Sequence, residues 1–354
     1  MRTNLSGRLT ATLLFALLAI SLSAQNERRE RTLEDDALTD NLISAPGPTF
    51  RVANKEIPEH WTLIAYGDQR FTDPANNEVT NPKVRRWLVE QVAKEHPDVL
   101  LLSGDVPYNG AVQNDYEVYR SETATWREQK LRVFPAMGNH ELHGAEVREP
   151  ANWWNAFPEL KNRRWYSVEF ANAYIITLDS NLSLDESSKQ RKWLDDQLDH
   201  LPKSTGFVFV SLHHPPVADS IKDNPSHNVR PNERQLTVLL EKRAANANVK
   251  FIVIAGHIHN YQRFFENGVV YLVSGGGGAK PYPIARTAAD LFQDAAFPNY
   301  HYVEFRYDGK DLQGSMYRLH DPESATPKWE VKDTFVVNLR KQKARAMIPT
   351  VLSP

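Results

Sequence analysis

The sequence predicts an α/β fold, a core of β-strands with helices packed outside it. Three observations lead there. From Trp61 onward, short apolar runs of strand length alternate with amphipathic stretches of helix length. Of the 354 residues, 41% are hydrophobic and 24% charged, enough to bury a sizeable core and too much apolar content for a disordered or fibrous chain. Past Val273 the helical patterning fades, and three strand-like segments close the chain as an antiparallel set.

Taken in order, the N-terminus comes first. Arg2 and Arg8 precede the apolar stretch 13–20, and small residues follow at Ser21, Ser23 and Ala24, the layout of a secretory signal. Residues 1–24 are therefore expected to be a signal peptide, and the protein to be secreted or periplasmic. Leu22 departs from the small residue usual three places before the cut at Ala24. No other segment approaches 18 consecutive apolar residues, so no membrane association beyond export is expected. Residues 25–57, with Arg28, Arg29, Arg31, Glu34, Asp35, Asp36, Pro46 and Pro48, form a polar N-terminal extension. Residues 58–340 form the globular domain, and 341–354 a basic C-terminal tail.

Within the domain the strand candidates are Trp61–Tyr66, Val99–Leu102, 132–137, 166–178 with a break near Ala171, 207–212, 251–255 and 269–273. Between them lie helix candidates. The first is 82–94, where Asn81 offers a capping side chain and Pro82 a preset φ at the first helical position. The others are 116–129, 186–201 and 232–245, and the closing antiparallel strands are 302–307, 314–318 and 330–337.

Charge and cysteine content exclude several functions. Forty-two Lys and Arg against 44 Asp and Glu give a net charge of −2 without a basic run, which argues against a nucleic-acid partner. The absence of cysteine excludes disulfides, thiolate zinc sites, iron–sulfur clusters and a cysteine nucleophile. Any metal must sit on oxygen and imidazole.

Such ligands recur where strands end. The first strand runs into Gly67-Asp68, the second into Gly104-Asp105, the third into Gly138-Asn139-His140-Glu141. The strand at 207 runs into His213-His214-Pro215-Pro216, and that at 251 into Gly256-His257-Ile258-His259. In α/β sheets ligands bind beyond the carboxyl ends of the strands, where loops converge without disturbing the core. Five such ends offer more hard and imidazole ligands than one ion needs, which implies two ions with an aspartate between them. Oxygen and imidazole ligands suit iron, manganese or zinc. Paired cations clamp the attacking and departing oxygens of a displacement at phosphorus. The run Ser274-Gly275-Gly276-Gly277-Gly278 lacks the Lys-Ser/Thr ending of a P-loop and is read as a turn beside the site.

The ordered set Gly67-Asp68, Gly104-Asp105-Val106-Pro107-Tyr108, Gly138-Asn139-His140-Glu141, His213-His214-Pro215 and Gly256-His257-Ile258-His259 resembles the calcineurin-like metallophosphoesterase superfamily, and within it the purple acid phosphatases. The resemblance covers roughly residues 60–280. Tyrosine distinguishes the subfamily: Asp68-Gln69-Arg70 replaces the Asp-x-His of most members, and Tyr108 stands three residues after Asp105. The resemblance implies a four-layer αββα sandwich of two mixed β-sheets flanked by helices. It implies one metal on Asp68, Asp105, Tyr108 and His259, and a second on Asp105, Asn139, His213 and His257. The Tyr108 site would take Fe(III), the other Fe, Zn or Mn. His140 and His227 would act on the substrate side, with Asp105 shared at the centre. The implied function is an exported acid-phosphatase-like hydrolase cleaving small phosphate monoesters with a metal-activated hydroxide.

Two departures from the family pattern stand out. Arg70 replaces the glycine usual two places after the first metal aspartate, and Gln262 replaces the glutamate usual before Arg263. The competing enzyme reading is a phosphodiesterase or nucleotidase on the same scaffold. The competing non-enzyme reading is a metal-binding pseudo-phosphatase, against which the full ligand set stands. His96, His143, His200, His214 and His301 carry no motif and are read as structural or surface histidines. Trp153, Trp154, Trp165 and Tyr166 are read as core or rim packing rather than a stacking platform.

Overall fold

A computed structural model describes residues 48–339 apart from 54–55, 145–148, 161–162, 223–226 and 247. The expected signal peptide, most of the expected polar extension and the expected basic tail lie outside the described residues.

Among the described residues thirteen strands form two mixed sheets. One contains β1 (Phe50–Arg51), β5 (Tyr166–Phe170), β6 (Ala173–Thr177), β7 (Phe207–Ser211), β8 (Lys250–Ala255), β10 (Val269–Ser274) and β9 (Tyr261–Glu266), side by side in that order. The other contains β13 (Trp329–Asn338), β12 (Asp311–Leu319), β11 (His301–Tyr307), β2 (Trp61–Tyr66), β3 (Val99–Leu102) and β4 (Arg132–Pro135). β2, β3 and β4 run parallel, as do β6, β7, β8 and β10. The carboxyl ends of each group therefore open to one side.

Strand alternation sorts the core into layers. Phe207 and Phe209 of β7 turn toward the other sheet, where Trp61 meets Phe207 and Phe209 edge-on with ring centroids 6.4 Å apart, and Phe305 meets Phe209 at 5.2 Å. Val208, Val210 and Val253 turn outward and are buried with Leu194 and Leu198 of one helix (Lys189–Asp199) and Leu236, Leu239 and Leu240 of another (Pro231–Asn246). The six-stranded sheet is covered by α1 (Pro82–Glu95) and by a helix pair that starts at Gln113. This is the four-layer αββα sandwich.

Several local expectations hold for the reasons given. Asn81 caps α1, its side chain accepting from the Val84 N–H at 3.1 Å. The break near Ala171 is a hairpin turn between β5 and β6, with Ala171 at φ 50°. The closing strands are antiparallel as expected, and Trp153, Trp165 and Tyr166 are buried. The stretch 116–129 differs: it is two helices, Gln113–Glu122 and Ala124–Glu128, parted at Thr123, whose hydroxyl bonds back to the Tyr119 carbonyl at 2.6 Å. The helix start expected at 186 falls at Lys189, because Ser188 accepts from the Arg191 N–H and caps there.

Candidate metal centre

The site forms where the carboxyl ends of β2, β3 and β4 meet those of β7 and β8. Asp68 follows β2, Asp105 follows β3 and Asn139 follows β4, while His213 follows β7, and His257 and His259 follow β8. The loops knit together through their backbones. The Asp68 N–H donates to the Gly104 carbonyl at 2.9 Å, Arg70 N–H to Asp105 O at 3.0 Å, and Gly256 N–H to His213 O at 3.0 Å. Gly104 adopts φ +90°, and a Cβ there would lie 2.6 Å from His213 Nδ1; one on Gly138 would lie 2.3 Å from Asp105 Oδ1. Glycine at these two positions is what lets the loops close on the ligands.

Asp105 sits at the centre, fully buried. Its Oδ1 accepts from the His140 N–H at 3.0 Å and lies 3.2 Å from His213 Nε2. Its Oδ2 faces Arg70 Nη2 at 3.3 Å and His140 Nε2 at 3.8 Å. Burial opposes ionisation of Asp105, but His213, His140 and Arg70 outweigh it and hold the carboxyl well below its ordinary range. Asp68, equally buried and beside the Asp105 charge, is pushed up to about 7.

The histidines are fixed through their far nitrogens. His213 Nδ1–H donates to the Ser103 carbonyl at 2.9 Å, His259 Nδ1–H to Lys280 O at 2.7 Å, and His140 Nδ1–H to Tyr108 O at 2.5 Å. In the neutral ring each Nε2 then turns a lone pair into the crevice. Burial favours the neutral form of three rings of the cluster, lowering His259 to about 3 and His140 to about 4, and His257 well below its ordinary value. Metal ligation requires that neutral form.

Two groupings result. Asn139 Oδ1 lies 3.0 Å from His213 Nε2 and 3.2 Å from His257 Nδ1, and the two ring nitrogens are 3.3 Å apart. Asp105 Oδ1 lies 3.2 Å from the same His213 Nε2, so three further polar atoms crowd that nitrogen. Beside them, Asp68 Oδ1 and His259 Nε2 are 3.4 Å apart, both buried and without a hydrogen-bond partner among the described residues. Buried polar atoms left in that state are costly. Both groupings fit a hard cation on oxygen and imidazole, so the donor set suits two metal ions.

The remaining expected residues lie around this pair. Tyr108 is half-buried, its N–H bonded to Phe71 O at 2.9 Å and its ring 5.4 Å from that of His140. The His227 ring lies 4.6 Å from His257 and 5.3 Å from Tyr282, over the crevice. Four further residues belong to the site. Tyr282 stacks on His259 at 4.3 Å and faces the Arg70 guanidinium. His143 lies 4.0 Å from the His140 ring, and His214 joins His213 and His257 in a group able to hold a cation. Glu141, buried, accepts from the N–H groups of Asp105, Val106 and Gly138 at 3.1, 2.9 and 2.8 Å. The doubled histidine at 213–214 was visible in the sequence. Tyr282 was not, since only the folded glycine-rich loop carries it across. That loop does run beside the site: Gly277 N–H bonds to Gly67 O, and Ala279 N–H to Asp68 O, both at 2.9 Å.

Comparison with known proteins agrees with this geometry. The calcineurin-like phosphoesterase family model matches residues 78–261. The chain is 27% identical to probable purple acid phosphatase 20 of Arabidopsis thaliana over 236 residues, 59% of this chain and 53% of that protein. It is 31% identical to Fe(3+)-Zn(2+) purple acid phosphatase 12 of the same plant over 100 residues, 28% of this chain and 20% of that one. A purple acid phosphatase from yellow lupin (Lupinus luteus) seeds shares the fold, with a TM-score of 0.63 at 16% identity over 80% of this chain and 54% of that one. The chain spans about half the length of the first curated relatives it matches. Motif order, paired sheets and a metal-ligand cluster at the strand ends all agree: the chain belongs to the calcineurin-like phosphoesterase family.

Proposed function

We infer that the chain is an exported hydrolase of small phosphate monoesters that works with two metal ions. The first is held by Asp68, Asp105, Tyr108 and His259, the second by Asp105, Asn139, His213 and His257, within a catalytic domain over 58–340. The observation that carries this reading is the convergence of Asp105 Oδ1, Asn139 Oδ1, His213 Nε2 and His257 Nδ1. The far nitrogen of His213 is already committed to Ser103, so its Nε2 presents a lone pair to this cluster, as a metal ligand would. Bound there, the ions supply Lewis-acid activation of the phosphoryl group and of the attacking water. The expected pair, Fe(III) with Fe, Zn or Mn, is supported by the Fe(3+)-Zn(2+) name of one relative. The basic and apolar start of the chain supports export. Among the described residues no helix is long and apolar enough to cross a membrane.

The protein's own groups handle orientation and protons. His140, pinned through Nδ1, directs the Nε2 lone pair into the crevice beside Asp105, and a proton taken up there is the one it would pass to the leaving alkoxide. His227 stands on the opposite rim beside His257 and Tyr282, placed to bond phosphate oxygens. Glu141 fixes the backbone of Asp105, and so the geometry of the shared carboxylate. The test is metal analysis and visible absorption of the purified protein, with turnover of an aryl phosphate against a bis-aryl phosphate. A tyrosinate-to-iron band lost in Tyr108→Phe and a preference for the monoester are expected. A band surviving in Tyr108→Phe and lost in Tyr282→Phe would transfer the ligand role to Tyr282. Protein free of bound metal would end the reading.

A further inference from the structure

Arg70 brings a positive charge into the middle of the ligand cluster. It adopts φ 49°, with its N–H tied to the Asp105 carbonyl at 3.0 Å and its own carbonyl held by Arg85 Nη1 at 3.1 Å. The backbone is thus locked, and the side chain turns inward, largely buried, with Nη2 3.3 Å from Asp105 Oδ2 and the guanidinium facing Tyr282. Its buried Nε has no hydrogen-bond partner among the described residues, so the guanidinium is held by charge rather than by a complete set of bonds.

The carboxylate of Asp105 is consequently divided. Oδ1 belongs to the side of His213, Asn139 and His257, and Oδ2 to Arg70. A cation bound by Asp68 and His259 and sharing Asp105 would meet a fixed positive charge already there, since the Arg70 guanidinium holds Asp105 Oδ2 and its charge acts on Asp68 and His259 as well. Among the described residues no arginine or lysine is paired with Asp105 Oδ1, Asn139, His213 or His257 on the other side.

We propose that Arg70 is a tethered cation competing with the metal ion on the Asp68–His259 side, so that the protein fills its two positions in sequence and with well-separated affinities. The Asn139–His213–His257 position fills first. The second ion enters only as the guanidinium gives up Asp105 Oδ2. The inference rests on the two-metal reading above and adds an order and a cause to it.

The experiment uses the full chain stripped with a chelator and titrated with Mn²⁺, following heat and bound metal. Wild type is expected to show two steps at least tenfold apart. Arg70→Gly, which suits the positive φ, tightens the weaker step at least tenfold, while Arg70→Lys keeps the steps apart. Melting gives a readout that a merely structural arginine would not move in this way. Arg70→Gly lowers the melting temperature of the stripped protein yet enlarges the rise produced by Mn²⁺. Identical dissociation constants in wild type and Arg70→Gly, or loss of the second ion in that variant, would overturn the inference and leave the two-metal reading standing. A wild type that takes up no metal overturns both.

Discussion

Glu141 bears no metal in any reading of the site, yet the structure makes it the brace on which the centre depends. The side chain is fully buried, and its two oxygens accept three backbone N–H groups, from Gly138 and Asp105 on Oε2 and from Val106 on Oε1. Those donors lie in the loops after β3 and β4, so one carboxylate ties two strand ends together. Burial, reinforced by the Asp105 charge, pushes the Glu141 carboxyl well above its ordinary range, so this brace is expensive to keep ionised. Glu141→Ala leaves three buried donors without acceptors, each costing about 1–3 kcal/mol, for a loss of at least about 3 kcal/mol. Glu141→Gln costs less. Its amide oxygen takes over the position that serves Gly138 and Asp105, and only the Val106 N–H then faces a donor, a conflict of about 1–3 kcal/mol. Urea unfolding of the three proteins gives the ranking, and metal content of the folded fraction reports the site. Both variants are expected to hold less metal, alanine least. An alanine variant destabilised by under about 1 kcal/mol, or a glutamine variant as unstable as alanine, would refute the reasoning.

Further consequences can be checked separately. Asn139→Ala and His213→Ala are each expected to empty the second metal position and reduce turnover by at least about 100-fold with an unchanged circular dichroism spectrum, since only side-chain ligands are lost. His301 lies buried between Ser274 and the Asn299 carbonyl, and burial lowers it to about 4 from the 6.5 of an unfolded chain. Because its folded value is depressed, the stabilisation is complete above pH 6.5 and is lost as the pH falls toward 4, roughly 3 kcal/mol in all. The gap in unfolding free energy between wild type and His301→Gln should therefore shrink over that interval. Ala171→Gly should stabilise the β5–β6 hairpin by about 0.5–1 kcal/mol, because Ala171 holds φ 50° where an alanine is strained, and thermal unfolding reads it directly.

What the sequence revealed follows from how local each signal is. Strand runs such as Trp61–Tyr66 and 207–212 are set by a few consecutive apolar residues, and Asn81-Pro82 carries its own capping chemistry. The break at Ala171 showed because polarity changes there. Thr123 gave no comparable sign: its hydroxyl captures the Tyr119 carbonyl and divides a helix that contains neither glycine nor proline. β9 (Tyr261–Glu266) escaped for another reason. Gln262 and Arg263 look solvated, whereas Gln262 is buried against Asp219 and Arg263 pairs with Asp333 of β13. Arg70, Tyr282 and His143 join the site only through loop conformation, which spacing alone does not reveal.

That conformation is itself the strongest evidence that the loops form one device. Among the described residues eight non-glycine residues have positive φ, and Asp68, Arg70, Asp105 and His257 are four of them. Each such residue costs roughly 1–2 kcal/mol in the left-handed region, and such strain persists only where the surroundings over-determine it. Here the surroundings are the other strained loops. Asp68 and Arg70 bond backbone to backbone with the Gly104–Asp105 turn, and the His257 N–H donates to Asp68 Oδ2 at 2.9 Å. Residues from both sheets thus hold one another in conformations none would adopt alone. A relaxed packing of the same strands would leave Asp68 and Asp105 pointing apart in water, where a carboxylate is most stable. Holding them buried and converging suits residues that could hold a cation, as proposed above.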